Sequence, residues 1–133
     1  MTKILFVCQH NSARSQMAEG LVNAVGHGVI KAWSAGSTPT QVNPLAIRAM
    51  AEIGIDITGQ ESKSFAAVAD LPFDYVVVLC EEGALTCPVF PGQAEQLHWP
   101  LPDPAAVKGP EEKRLQEFRA VRDTLSLRLR SLL

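Results

Sequence analysis

Residues 4–15 read Ile-Leu-Phe-Val-Cys-Gln-His-Asn-Ser-Ala-Arg-Ser. The four apolar residues Ile4 to Val7 predict a short strand buried on both faces. Cys8 closes that strand. After five more residues, Arg14 and Ser15 open a run in which Met17, Ala18, Leu21, Val22 and Val25 recur at helical spacing. Strand, loop and helix in this order bring backbone N–H groups together at a helix N-terminus, where they converge on an anion. The same surroundings favour a thiolate, which is the nucleophilic form of cysteine. Arg14 adds a planar, permanently charged fork that matches two oxygens of a tetrahedral anion. Ser15 offers the sulfur a hydrogen bond, and Asn11 tolerates a left-handed turn position. Cys8 is therefore the candidate nucleophile, and Gln9, His10, Asn11, Ser12, Ala13, Arg14 and Ser15 form the candidate oxyanion-binding loop.

Beyond this segment, strands alternate with helices. Gly26 and Gly28 end the first helix, and Val29 to Ser34 reads as a second strand. Asn43-Pro44 is a helix start, with Leu45, Ala46, Ala49, Met50 and Ile53 as its inner face and Gly54 as its stop. A short helix is expected over 62–70. Asp74 to Leu79 reads as a third strand and Gln96 to Trp99 as a fourth. Pro110 opens a last helix, in which Leu115, Phe118, Val121, Leu125, Leu129 and Leu132 share a face. The pattern calls for an α/β three-layer sandwich: a four-stranded parallel sheet with helices on both faces. In such sheets ligands sit beyond the carboxyl ends of the strands. Cys8 ends the first strand, Cys80 the third, and His98, Trp99 and Asp103 follow the fourth, so all are expected on one edge.

Composition narrows the function. The chain has 133 residues, 47% of them hydrophobic, which suits one domain spanning 1–133 with a packed core. A formal net charge of −2 gives no support for nucleic-acid or membrane-surface binding. The longest apolar run, Tyr75 to Cys80, is far too short to span a bilayer, and no signal peptide is evident. A cytoplasmic monomer is expected. Three cysteines cannot all pair, and in a reducing compartment thiols are more often catalytic, redox-active or simply buried. No resident metal or cofactor is expected.

Residues 7–20, Val-Cys-Gln-His-Asn-Ser-Ala-Arg-Ser-Gln-Met-Ala-Glu-Gly, resemble the start of low-molecular-weight protein tyrosine phosphatases and of the arsenate reductases built on that fold. Leu79-Cys80, Cys87-Pro88, His98-Trp99 and Asp103-Pro104-Ala105 resemble the reductase branch more than the phosphatase branch. That resemblance implies a three-thiol relay. Cys8 attacks arsenate held by Arg14 and the loop amides, and Asp103 protonates the departing oxygen. Cys80 then attacks Cys8 and releases arsenite, and Cys87 takes over the disulfide. The exposed Cys80–Cys87 pair would be reduced by thioredoxin or glutaredoxin, with phosphate or sulfate as competing anions.

Pro102 and Pro104 flank Asp103 and present its carboxylate on a restricted backbone. Where the phosphatase branch often carries an aromatic residue after the Asp-Pro pair, this chain has Ala105, and aromatics are only 6% of it. The pocket is thus better suited to a small inorganic anion than to an aryl phosphate. Some family members hold a potassium ion through residues resembling Asn11, Glu19 and Ser34. Lys63 stands here where a further carboxylate would be expected, so no potassium site is expected; its ammonium either replaces the ion or is a solvated surface charge. Two other readings remain open: a phosphatase, which needs neither Cys80 nor Cys87, and a non-catalytic oxyanion binder or thiol redox sensor.

Overall fold

The computed structural model describes residues 1–26, 28–80 and 94–132. Cys87, together with the segment joining it to Cys80, lies outside the described residues. The elements run β1 (Thr2–Cys8), α1 (Arg14–Gly26), β2 (Ile30–Gly36), α2 (Pro44–Ala51), β3 (Tyr75–Val78), β4 (Glu95–His98) and α3 (Glu111–Leu132). Single 3-10 turns occur at Phe65–Ala67 and Pro104–Ala106.

The four strands form one parallel sheet in the order β2-β1-β3-β4. β1 is therefore central, and the chain leaves it first toward β2 and later toward β3 on its other side. That reversal opens a crevice at the carboxyl end of β1. The uniform apolarity of β1 has its expected cause: Ile4 and Phe6 enter a core with α1, α2 and α3, while Leu5 and Val7 pack beneath Val68 and Phe73 on the opposite face. Trp33 meets Phe73 edge-to-face at 5.7 Å between ring centroids. Asn43 caps α2 by accepting the Leu45 N–H at 2.9 Å. α3 buries Leu115, Phe118, Val121, Leu125 and Leu129, the stripe its spacing predicts.

Three local expectations need correction. The helix expected over 62–70 shrinks to the Phe65–Ala67 turn. Its first residues are already committed elsewhere: Ser62 Oγ donates to His10 O, Lys63 N to Asn11 Oδ1, and Ser64 bridges in parallel to Gly36. An extended tether to the anion loop excludes helix there. Ile53 is not on the inner face of α2 but 45% exposed, because the helix ends at Ala51 and Gly54 turns the chain with a φ of 80°. Val25, at the far end of α1, is likewise 57% exposed, lining an open surface cleft against Ser126, Leu129 and Arg130 of α3 instead of packing into the core.

Candidate active site

The loop from Gln9 to Ala13 is held open by bonds that pull its carbonyls outward. Gln9 O accepts from Thr38 N at 2.8 Å, His10 O from Thr40 N at 3.2 Å and Ser62 Oγ at 3.0 Å, and Ser12 O from Asn43 N at 2.9 Å. Asn11 O accepts from Gln16 Nε2 at 3.0 Å. In a trans peptide the following N–H points opposite to the carbonyl. The N–H groups of His10, Asn11, Ser12 and Ala13 are therefore turned to the inside of the ring. A concave set of N–H dipoles at the start of α1 is an anion cradle.

Asn11 is the keystone of the ring. Its φ is 48°, the only positive value for a non-glycine among the described residues. It is fully buried, and its side chain uses both ends: Nδ2 donates to Ser15 Oγ at 2.7 Å, and Oδ1 accepts from Lys63 N and Gln16 Nε2, each at 2.9 Å. Ser15 Oγ lies 2.9 Å from Cys8 Sγ. With Asn11 supplying a hydrogen to Ser15 Oγ, the hydroxyl hydrogen is available to a thiolate at Cys8, the role the sequence suggests for it. His10 contributes through its backbone carbonyl.

Sequence reasoning missed two supports of this loop. Gln16 is 0% exposed and ties Asn11 to Glu61 O at 2.9 Å, while Gln60 Nε2 donates to Gln16 Oε1 at 2.8 Å. A polar residue directly after Ser15, on the inward side of an otherwise apolar helix turn, is the signal that marks it. Gly36 is the second. A Cβ there would stand 2.7 Å from Gln9 O, 2.8 Å from Cys8 O and 2.9 Å from Asn11 N, all backbone atoms. Only a hydrogen fits between β2 and the loop.

Arg14, 6% exposed, closes the ring. Its Nη1 donates to Leu101 O at 3.1 Å and its Nη2 lies 3.9 Å from Asp103 Oδ2. Asp103 Oδ1 accepts the Ala105 N–H at 3.0 Å and caps the 3-10 turn, so the carboxylate is oriented while its side chain stays 30% exposed. Ala105 is exposed, leaving no aromatic wall at this position.

Cys80 follows β3 by two residues. Val7 pairs with Val78, and Leu79 N donates to Val7 O at 2.9 Å, so the chain carrying Cys80 runs alongside Cys8 on the same rim of the sheet. Both sulfurs are free and both residues are buried, at 2% and 1% exposure. Burial pushes the Cys80 thiol up to about 11, and charge at Cys8 and Asp103 raises it too. The Arg14 guanidinium and the Gln9 N–H pull the other way. Cys8, Arg14, Asp103 and the loop backbone thus all act on one buried thiol. Cys80 is protonated at neutral pH in this arrangement.

Beneath the loop, Glu19 Oε1 accepts from Ser34 Oγ at 2.6 Å and lies 3.6 Å from Lys63 Nζ, which also donates to Glu61 O at 3.1 Å. The ammonium stands beside the carboxylate, where the sequence leads one to expect it. Among the described residues no cluster of three or more histidine, cysteine or acidic side chains could hold a metal ion, and no helix is long and apolar enough to cross a membrane.

Comparison with known proteins gives a consistent picture. The family model described as low molecular weight phosphotyrosine protein phosphatase matches residues 3–133. An arsenate reductase of Halalkalibacterium halodurans is 41% identical, over 96% of this chain and 92% of its own. A glutaredoxin arsenate reductase of Synechocystis is 38% identical, over 100% of this chain and 97% of its own. A solved structure described as an arsenate reductase in the phosphate binding state superposes with a TM-score of 0.84 at 38% identity, covering 99% of this chain and 96% of that one.

Proposed function

The chain belongs to the low-molecular-weight phosphotyrosine protein phosphatase family, and from that membership we propose that it is an arsenate reductase working through Cys8, Cys80 and Cys87. The observation that carries this reading is the second buried thiol. A phosphatase of this fold needs Cys8, Arg14 and Asp103. It has no use for a cysteine on the neighbouring strand end that senses Cys8, Arg14 and the Gln9 N–H together.

In this reading the loop N–H groups and Arg14 bind arsenate, and the Cys8 thiolate attacks arsenic. A sulfur–arsenic bond forms, and one arsenate oxygen leaves as water with a proton from Asp103. Cys80 then loses its proton and attacks Cys8 sulfur. The sulfur–arsenic bond breaks, its electron pair stays on arsenic, and arsenite departs with arsenic reduced by two electrons. The two sulfurs, oxidised by two electrons, form the Cys8–Cys80 disulfide. Cys87 attacks Cys80, frees Cys8 as thiolate and leaves a Cys80–Cys87 disulfide for an external dithiol. Thioredoxin suits an intramolecular disulfide. Glutaredoxin is the reductant that the name of the Synechocystis relative indicates for that protein.

The test is reconstitution. Purified protein is mixed with arsenate, NADPH and either thioredoxin with its reductase or glutathione with glutaredoxin and its reductase. Arsenate-dependent NADPH oxidation in one mixture supports the reading and identifies the reductant. Its absence in both overturns it. Mass spectrometry after a single turnover without reductant is expected to find Cys80 linked to Cys87.

A further inference from the structure

The connector between β4 and the Pro104–Ala106 turn touches nearly every member of the site. Leu101 O accepts from Arg14 Nη1, Asp103 belongs to the connector, and its backbone continues the sheet beyond β3: Trp99 N donates to Val78 O at 2.9 Å and Leu101 N to Leu79 O at 3.0 Å. The next carbonyl, that of Cys80, breaks the pattern. Among the described residues its donor is a side chain, His98 Nε2, at 2.9 Å. A carbonyl only accepts, so Nε2 must carry the hydrogen. The bond thus exists in the neutral Nε2–H tautomer and in the imidazolium alike.

We propose that His98 is a positioning residue for the thiol step: by holding Cys80 O from the end of β4, it fixes the backbone that carries the Cys80 sulfur on the strand end next to Cys8. Among the described residues, the last carbonyl of this strand extension held without His98 is that of Leu79. Attack on a divalent sulfur needs alignment along the bond being broken, so a small rotation is costly. Among the described residues His98 bonds neither the loop nor Arg14, so its role is separate from holding the anion. The inference deepens the reductase reading and rests on it.

The experiment compares the wild type with His98→Ala and His98→Gln, the latter keeping an N–H donor. Three quantities are read: kcat and KM for arsenate, protection of Cys8 from iodoacetamide by inorganic phosphate, and the rate of Cys8–Cys80 disulfide formation with diamide, in Cys87→Ser versions of each protein. For His98→Ala, kcat and the diamide rate are expected to fall about tenfold, with KM and phosphate protection within twofold of wild type. His98→Gln is expected to recover most of both rates. Unchanged rates in His98→Ala overturn the proposal, as does a parallel loss of phosphate protection or a His98→Gln no better than alanine. A wild type that reduces no arsenate would sink the reductase reading alone, since the diamide rates still report whether His98 aligns the two sulfurs.

Discussion

Cys80 follows β3 where Cys8 closes β1, the adjacent parallel strand, and burial together with charge at Cys8 keeps its thiol protonated. The proton on Cys80 is therefore part of the timing. In the proposed relay Cys8 attacks first, and Cys80 follows once the charge on Cys8 has been spent in bonding.

This order is visible in alkylation. At pH 7 to 8, brief iodoacetamide treatment and peptide mapping are expected to find Cys8 modified and Cys80 intact. Modification of Cys80 should rise as pH climbs from 9 toward 11. Because the folded value is raised above the ordinary 9.0, the preference for protonated Cys80 stabilises the fold fully below pH 9 and is lost as pH passes through about 11. Prompt labelling of Cys80 at neutral pH would contradict this.

Replacing Cys80 by serine removes the second sulfur and leaves the loop untouched. Cys80→Ser is expected to lose arsenate turnover by at least about a thousandfold. Its affinity for phosphate, measured by protection of Cys8, should stay within twofold. Retained turnover would show that the relay does not pass through this residue.

Gly36→Ala tests the shape of the loop from behind. Its Cβ would collide with Gln9 O, Cys8 O and Asn11 N, none of which yields without moving the ring. A cost of about 1–3 kcal/mol is expected in urea unfolding. Phosphate affinity should fall at least tenfold. A variant of normal stability and normal phosphate binding would mean that the loop is softer than its hydrogen bonds imply.

Lys63 predicts indifference to potassium. With the ammonium 3.6 Å from Glu19, melting temperature and activity should match in KCl and NaCl at equal ionic strength. Lys63→Gln leaves Glu19, only 12% exposed in its side chain, without its cation and should cost about 1–3 kcal/mol. Potassium is expected to restore part of that loss in the variant. A potassium-dependent rise in the wild type is the opposing result.

Glu52 joins α2 to α3. It accepts from Arg119 Nη2 at 2.6 Å and Arg122 Nη1 at 2.9 Å, and Arg122 also donates to Ala49 O at 2.8 Å. The Arg119 hydrogen bonds foremost hold its carboxyl down at about 2 against an ordinary 4.5. A lowered value means stability that is present above pH 4.5 and lost as pH falls through about 2. Glu52→Gln should therefore melt lower than wild type at pH 7, and the gap should narrow between pH 4.5 and 2. Circular dichroism melts across that range read the effect.

Much of the molecule was legible without coordinates. Ile4 to Val7, the Cys8-to-Arg14 spacing and the stripe on α1 specify strand, loop and helix because each depends on residues close along the chain. The left-handed Asn11 followed from the same local logic. The expected helix over 62–70 failed because Ser62 and Lys63 answer to the anion loop more than fifty residues earlier, which no local period reveals.

By itself, the amino-acid order determined the α/β alternation and the strand, loop and helix that carry Cys8 and Arg14, the candidate nucleophile and anion-binding arginine, since these are matters of backbone geometry and short-range chemistry. Only the tertiary structure decided that the carbonyls face outward and that Gly36 backs the ring. It also set Cys80 beside Cys8 and brought Leu101 O to Arg14. Such contacts reach as far along the chain as the 87 positions between Arg14 and Leu101. They exist because the strands assemble as β2-β1-β3-β4, an order fixed by how two faces of one sheet are buried together.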